Sequence, residues 1–228
     1  MNGRAHDSTE HRVLLNAIRA TIPAAIHPVL TAGPDGSDLF ELFLATRVAS
    51  VARTASASVH YEDSAGVTVS NLHFRTSPGP FLPPNPYTHF VLDFGGGHGL
   101  ELHLGARIVG RAGVANEYDL ALIHRSAAER CRQRRIPPKT GKVEWVGEAK
   151  FYSNTLGIGV ARAFVGLARD TTAKQRATLL TSNSLSCDAA KLLAGHNLRW
   201  DELVVPGSAA VAGFDERIRE VLRVFRAK

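Results

Sequence analysis

The chain has 228 residues, 44% of them hydrophobic, with 27 Lys and Arg against 21 Asp and Glu. Length and apolar content exclude a disordered protein and leave room for one large domain with a substantial core. No apolar run approaches the roughly 20 residues of a membrane span, residues 1–12 lack an apolar signal core, and the two cysteines, Cys131 and Cys187, have neither disulfide-framework nor zinc-site spacing; a soluble, reduced, cytoplasmic protein is expected.

Residues 7–20 read as a helix, with Asp7 and Glu10 at capping-box spacing and Val13, Leu14, Ala17 and Ile18 on one stripe. Pro34-Asp35-Gly36 is a turn, after which Ser37 or Asp38 caps a second helix to about residue 52. That helix is apolar nearly all round and should be buried. The period then changes. Residues 56–61 and 67–74 read as strands of a hairpin, and the five prolines within 77–86 mark a loop. Strands are expected at 89–94 and 100–109, around the glycine cluster at 95–99. That cluster lacks the GxxxxGK[ST] pattern and has strand on both sides, so it reads as a hairpin turn and not a phosphate loop.

Further strands are expected at 118–124, 143–152, 177–181 and 203–205. Helices are expected at 157–169, from the Ser186 cap to Gly195, and at 214–225. The fold class is mixed α/β: a mostly antiparallel sheet with a further strand reached through a helical crossover. The ten histidines are scattered without HExxH or comparable spacing, and His73 and His98 read as surface or turn residues.

The excess positive charge is local. Residues 125–142 hold seven basic residues and one acid. Phosphate contacts from Arg130, Arg132, Arg134, Arg135, Lys139 and Lys142 would be independent of nucleotide sequence. Because this segment joins two strands that carry chemistry, it is expected beside the site. Alternation on residues 143–152 puts Val146, Glu148, Lys150 and Tyr152 on one face, and Trp145, Gly147, Ala149 and Phe151 on the core face. Glu148 and Lys150 then stand about 6.6 Å apart along the strand, one suited to ligate a cation, the other to orient a water and neutralise phosphate charge. Asp119, on the preceding strand, supplies a second carboxylate. Asp119, Glu148 and the Ala149 carbonyl offer three oxygens to a hard cation. Glu41, flanked by apolar residues, reads as the partner of Asp38 in a capping box, with a role as an additional acid as the rival reading; Glu117 is a second candidate for that role.

From Asp119 onward the chain resembles the PD-(D/E)XK nuclease superfamily, and within it the Mrr-type restriction endonuclease domain. Asp119-Leu120-Ala121-Leu122 matches the first motif and Glu148-Ala149-Lys150-Phe151-Tyr152 the second. Ala163-Phe164-Val165-Gly166-Leu167 matches the third, and residues 177–183, ending Thr181-Ser182-Asn183, match the fourth. The resemblance covers roughly residues 100–205 and implies a restriction-endonuclease-like mixed sheet flanked by helices; with its N-terminal helical and β-hairpin elaboration this domain is expected over residues 37–228, behind an N-terminal helix and linker at 1–36. It also implies DNA cleavage with magnesium or manganese, and a role in restriction or phage defence. Specificity would come from a homodimer, a separate specificity subunit or the N-terminal region, with no membrane partner. The rival expectation is a non-catalytic nucleic-acid-binding module that keeps the fold.

Overall fold

The computed structural model describes residues 8–22, 25–26, 36–79, 81, 87–171 and 177–228. The Asp7 cap, the Pro34-Asp35 turn and most of the proline-rich 77–86 loop lie outside the described residues. Helices α1 (Ser8–Thr21) and α2 (Gly36–Thr54) precede strands β1 (Ser58–Asp63), β2 (Thr88–Asp93), β3 (Gly99–Val109) and β4 (Ala115–His124). Helix α3 (Arg125–Arg134) leads to β5 (Val143–Lys150), followed by α4 (Ile158–Asp170), β6 (Ala177–Thr181), α5 (Cys187–Gly195), β7 (Arg199–Asp201) and α6 (Ala210–Arg226).

These strands form one seven-stranded sheet. They lie in chain order, antiparallel from β1 to β5 and parallel from β5 to β7. The change of sense follows from the connections: a tight turn can join only antiparallel neighbours, whereas α4 and α5 are long enough to carry the chain back. Both faces are covered. On one side α1, α2 and α6 pack Leu14, Ile18, Phe40, Phe214 and Ile218 against Leu120, Leu122, Trp145 and Ala149. On the other, α3, α4 and α5 pack Ala128, Ala161, Phe164 and Leu193 against Ile123, Val143, Val146 and Leu179. Helix α1 therefore shares the core of the rest of the chain. The all-round apolar character of α2 has its cause here, since Phe40, Leu42, Leu44, Val48 and Ala52 are all buried. No helix among the described residues is long and apolar enough to cross a membrane.

Four expectations shift. The second arm of the first hairpin, 67–74, is reduced to an isolated bridge between Glu62 and Thr68 and a two-residue strand, Asn71–Leu72, that pairs with Ala25–Ile26; β2 takes the place beside β1. The last strand is residues 199–201, not 203–205, because Leu203 sits at φ 57° and breaks the ladder. Helix α2 already begins at Gly36, so Asp38 lies inside its first turn and does not cap it. The basic segment, expected as a connecting loop, begins with α3: Ala127, Ala128 and Cys131 form a buried stripe, and Arg135 closes the helix in the left-handed region at φ 56°. The glycine cluster is a turn, as expected, with Gly95, Gly96 and Gly97 all at positive φ.

Candidate active site

The site is built where β4 parts from β5. Their ladder includes the pairs Leu122–Trp145, Ala121–Val146 and Leu120–Gly147. Beyond Leu120, the β3–β4 hairpin is drawn toward the end of α4. Arg111 N–H donates to the Asp170 carbonyl at 2.8 Å, and the Tyr118 and Thr171 hydroxyls lie 3.3 Å apart. Gly105, opposite on β3, makes the bend possible: its φ is +57°, and an added Cβ would lie 3.3 Å from the Pro78 backbone. In the fork that opens, the Asp119 carboxylate takes over a backbone partner's role, and Ala149 N–H donates to Asp119 Oδ2 at 2.7 Å. Lys150 Nζ donates to Glu148 Oε1 at 2.5 Å and to Asp119 Oδ2 at 3.5 Å. One ammonium thus touches both carboxylates, which share a side of the sheet. All three side chains are between 18% and 26% exposed, so the group is sheltered yet reachable.

Glu41 joins them from α2. Its carboxyl is pushed up to about 9 by burial first, then by the charges of Asp119 and Asp38; Lys150 opposes the shift and Glu148 adds a smaller push. The capping-box reading of Glu41 therefore gives way. Asp38 and Glu41 repel as like charges, and Glu41 feels the three residues of the fork. The Glu148 carboxyl is raised by burial and then by Asp119, against the pull of Lys150. Burial pulls the Lys150 ammonium down, but Asp119 and Glu148 outweigh it, and its pKa is raised. Two carboxylates share one ammonium while Glu41 beside them is held in its protonated form, and a divalent cation is the kind of charge that would favour the ionised form of all three. Glu117 stands at the rim, exposed and paired with Arg107 at 2.8 Å.

The basic residues divide. Arg130, Arg134, Arg135, Lys139 and Lys142 are exposed. Arg132 is not: it is turned inward, and its guanidinium holds both oxygens of Glu101 at 2.5 and 2.7 Å. It belongs to the core and not to a phosphate-binding face. The segment's anchors are also remote from the fork. Arg125 follows Asp119, and Lys142 precedes Glu148, by six residues each, roughly 20 Å of strand. The expectation of a basic loop directly at the site is corrected to an exposed basic face whose two points of attachment lie at the far ends of the strands.

Sequence reasoning missed one group altogether. His89, Glu101 and His103, from β2 and β3, are fully buried, with ligand atoms within 4.8 Å of one another, a spacing that could hold a metal ion. The surroundings argue otherwise. Arg132 already neutralises Glu101, and the two imidazoles are stacked at 4.7 Å and 16°, so their lone pairs lie in nearly parallel planes that do not meet at one ion. The chain builds a hydrogen-bonded relay instead: Arg132 to Glu101, Glu101 to His103 Nε2 at 2.8 Å, and His103 Nδ1 to the Tyr87 hydroxyl at 3.2 Å. His89 Nε2 lies 3.4 Å from Glu101 without hydrogen-bond geometry, and neither of its ring nitrogens has a hydrogen-bond partner. The only sequence signal was the alternation Glu101-x-His103; the partners come from other strands and α3.

This relay sets a pH dependence. Burial, then the repulsion that would arise if His103 beside it were also protonated, and the charges of Arg132 and Arg125, hold His89 well below its ordinary value, against the attraction of Glu101; burial likewise lowers His103, against its bond to Glu101. Both are neutral in the fold and take up protons on unfolding. Stability is therefore intact above their ordinary value near 6.5 and falls as pH drops below it, by up to about 1.4 kcal/mol per pH unit for each imidazole. Urea midpoints measured from pH 7.5 to 5 should decline in this window, and His89→Leu should flatten the decline. A midpoint independent of pH down to 5 would show that these imidazoles do not titrate on unfolding.

No protein-family model, no curated protein and no solved structure matches the chain.

Proposed function

We propose that the protein is a metal-dependent nuclease that hydrolyses phosphodiester bonds in DNA. The observation that carries this reading is the contact of the Lys150 ammonium with the carboxylates of Asp119 and Glu148, from β4 and β5, in an opening of the sheet, with Glu41 of α2 near enough to feel their charges. The order of elements is what supports the finer restriction-endonuclease-like assignment: a buried helix, then antiparallel strands of which the fifth, β5, carries the acid-x-Lys pair beside the Asp119 strand, then a helical crossover to a parallel strand.

The donor set fits a magnesium or manganese ion. Asp119 and Glu148 would hold it with hard carboxylate oxygens, the Ala149 carbonyl is a further candidate, and Glu41 would have to approach to add a third carboxylate. When bound, the ion supplies Lewis-acid polarisation of a phosphate oxygen and a more acidic water. Lys150 carries a positive charge toward the scissile phosphate and orients the attacking water. Asp119 and Glu148 favour its ammonium form, in which it would act by charge stabilisation. Asp119 also fixes Ala149 in place through its 2.7 Å bond, so this carboxylate both ligates and shapes the strand. The exposed arginines of α3 offer a sequence-independent hold on the backbone of a longer substrate.

The test is incubation of supercoiled, linear and single-stranded DNA, and of RNA, with Mg²⁺ or Mn²⁺ and with EDTA. Cleavage that needs the cation and disappears in Asp119→Asn supports the reading. Salt-dependent binding of nucleic acid without cleavage under any of these conditions would replace it with a binding module of the same fold.

A further inference from the structure

A cavity of about 350 Å³ opens at the C-terminal ends of β5, β6 and β7, where α1 crosses them. In open α/β sheets this edge of the parallel strands is where ligands bind. Leu14, Phe151 and Val205 give it an apolar wall, and Ser182 and Asn183 give it polar groups. The volume is at the small end of ligand pockets, roughly 300–1,000 Å³, which suits one nucleoside and not a peptide helix or a duplex.

Its position ties it to the fork. Phe151 and Tyr152 directly follow Lys150, and Ser182 N–H donates to the Lys150 carbonyl at 3.0 Å. Tyr152 has the features of a stacking platform. Its backbone is clamped by one side chain, since Tyr152 N–H donates to Ser182 Oγ at 2.9 Å and that hydroxyl donates back to the Tyr152 carbonyl at 3.1 Å. The side chain remains exposed, at 50%. An aromatic ring on a clamped backbone, lining a pocket, presents a flat face at little conformational cost. Glu10, also on the wall, disfavours a phosphate inside the cavity and leaves it outside, toward Lys150.

Resting on the nuclease reading above, we propose that this cavity receives one unstacked base next to the scissile phosphate, with Tyr152 as its stacking partner, so that the substrate class is single-stranded or locally unpaired DNA. A paired base inside a duplex is stacked on both sides and cannot enter a closed pocket; a base in a single strand can.

The experiment measures binding of a fluorescein-labelled single strand of about 12 nucleotides, and of a hairpin duplex of the same composition, to the full chain in Ca²⁺ by anisotropy. Cleavage of both is then followed in Mg²⁺. The proposal expects the single strand to bind at least about tenfold tighter than the duplex. It expects Tyr152→Ala to lose on the order of tenfold of that affinity, as removal of one base-stacking ring does. Tyr152→Phe should keep it, and Val205→Trp, which fills the cavity, should lose it with an unchanged melting temperature. Equal binding of the two DNAs, absence of binding, or indifference to both Tyr152→Ala and Val205→Trp overturns the proposal. The two readings fail separately. Mg²⁺-dependent cleavage of both DNAs with no effect of Tyr152→Ala removes the base pocket and leaves the nuclease. Tyr152-dependent binding of the single strand without cleavage removes the nuclease and leaves the pocket.

Discussion

On the proposed nuclease reading, Lys150→Ala should lower cleavage by a hundredfold or more and make the folded protein lean on a divalent cation. The first effect follows from the role of the ammonium, since electrostatic and water-positioning contributions of this kind are each typically worth about a hundredfold or more in rate. The second follows from the geometry. Lys150 Nζ sits 2.5 Å from Glu148 and 3.5 Å from Asp119. Without the ammonium, two half-buried carboxylates share the fork with no neutralising charge. A loss of roughly 1–2 kcal/mol, a few degrees in melting temperature for a chain of this size, is expected in EDTA. Mg²⁺ should then raise the melting temperature more in the variant than in the parent, because binding to the folded state stabilises it by mass action. Lys150→Arg should not restore the rate, since a planar guanidinium places its charge differently. Wild-type cleavage by a contaminant-free Lys150→Ala preparation would make the E-x-K pair a surface ion pair and put any activity elsewhere.

Arg132→Met should be the most damaging single change in the basic segment, and its damage should be to the fold. Glu101 is fully buried, and Arg132 holds both of its oxygens. Burial pushes the Glu101 carboxyl up, but the Arg132 and His103 hydrogen bonds prevail and keep it far below the ordinary carboxylate range. Removing the guanidinium leaves an unpaired charge in the interior, at a cost of about 3–5 kcal/mol, on the order of 10 °C in melting temperature. Replacing Glu101 by Leu in the same chain should recover most of that loss, because a buried pair exchanged for apolar side chains is close to neutral. Arg130, Arg134 and Arg135 are exposed and should behave oppositely. Their joint replacement should leave the melting temperature unchanged and flatten the salt dependence of DNA binding by about one log–log unit per lost phosphate contact. A stable Arg132→Met variant with weakened DNA binding would return Arg132 to the surface role that its place in the basic run suggested.

The difference between Arg132 and its neighbours shows which properties are local in this chain and which are not. Alternation and helical periodicity marked α2, β2, β3, β4, β5, α4, β6, α5 and α6 because each presents an apolar face with its own period to a core, and that period is written in consecutive residues. The same alternation placed Glu148 and Lys150 together on one side of β5, and the antiparallel neighbour supplied Asp119. What consecutive residues do not carry is direction in space across elements. Helix α3 looked like a solvated charge run because its buried apolar stripe is only Ala127, Ala128 and Cys131, too small to stand out among four arginines. Arg132 turns inward only because β3 puts Glu101 beneath it. Glu41 looked like a capping residue until the start of α2 at Gly36 and the parting of β4 from β5 brought it to the fork. His89 and His103 became a pair only through the register of the neighbouring strands β2 and β3. Each of these turns on long-range register and burial, in which the cost of a buried charge selects its partner; local pattern names the residues able to carry charge, and tertiary packing alone decides which of them meet.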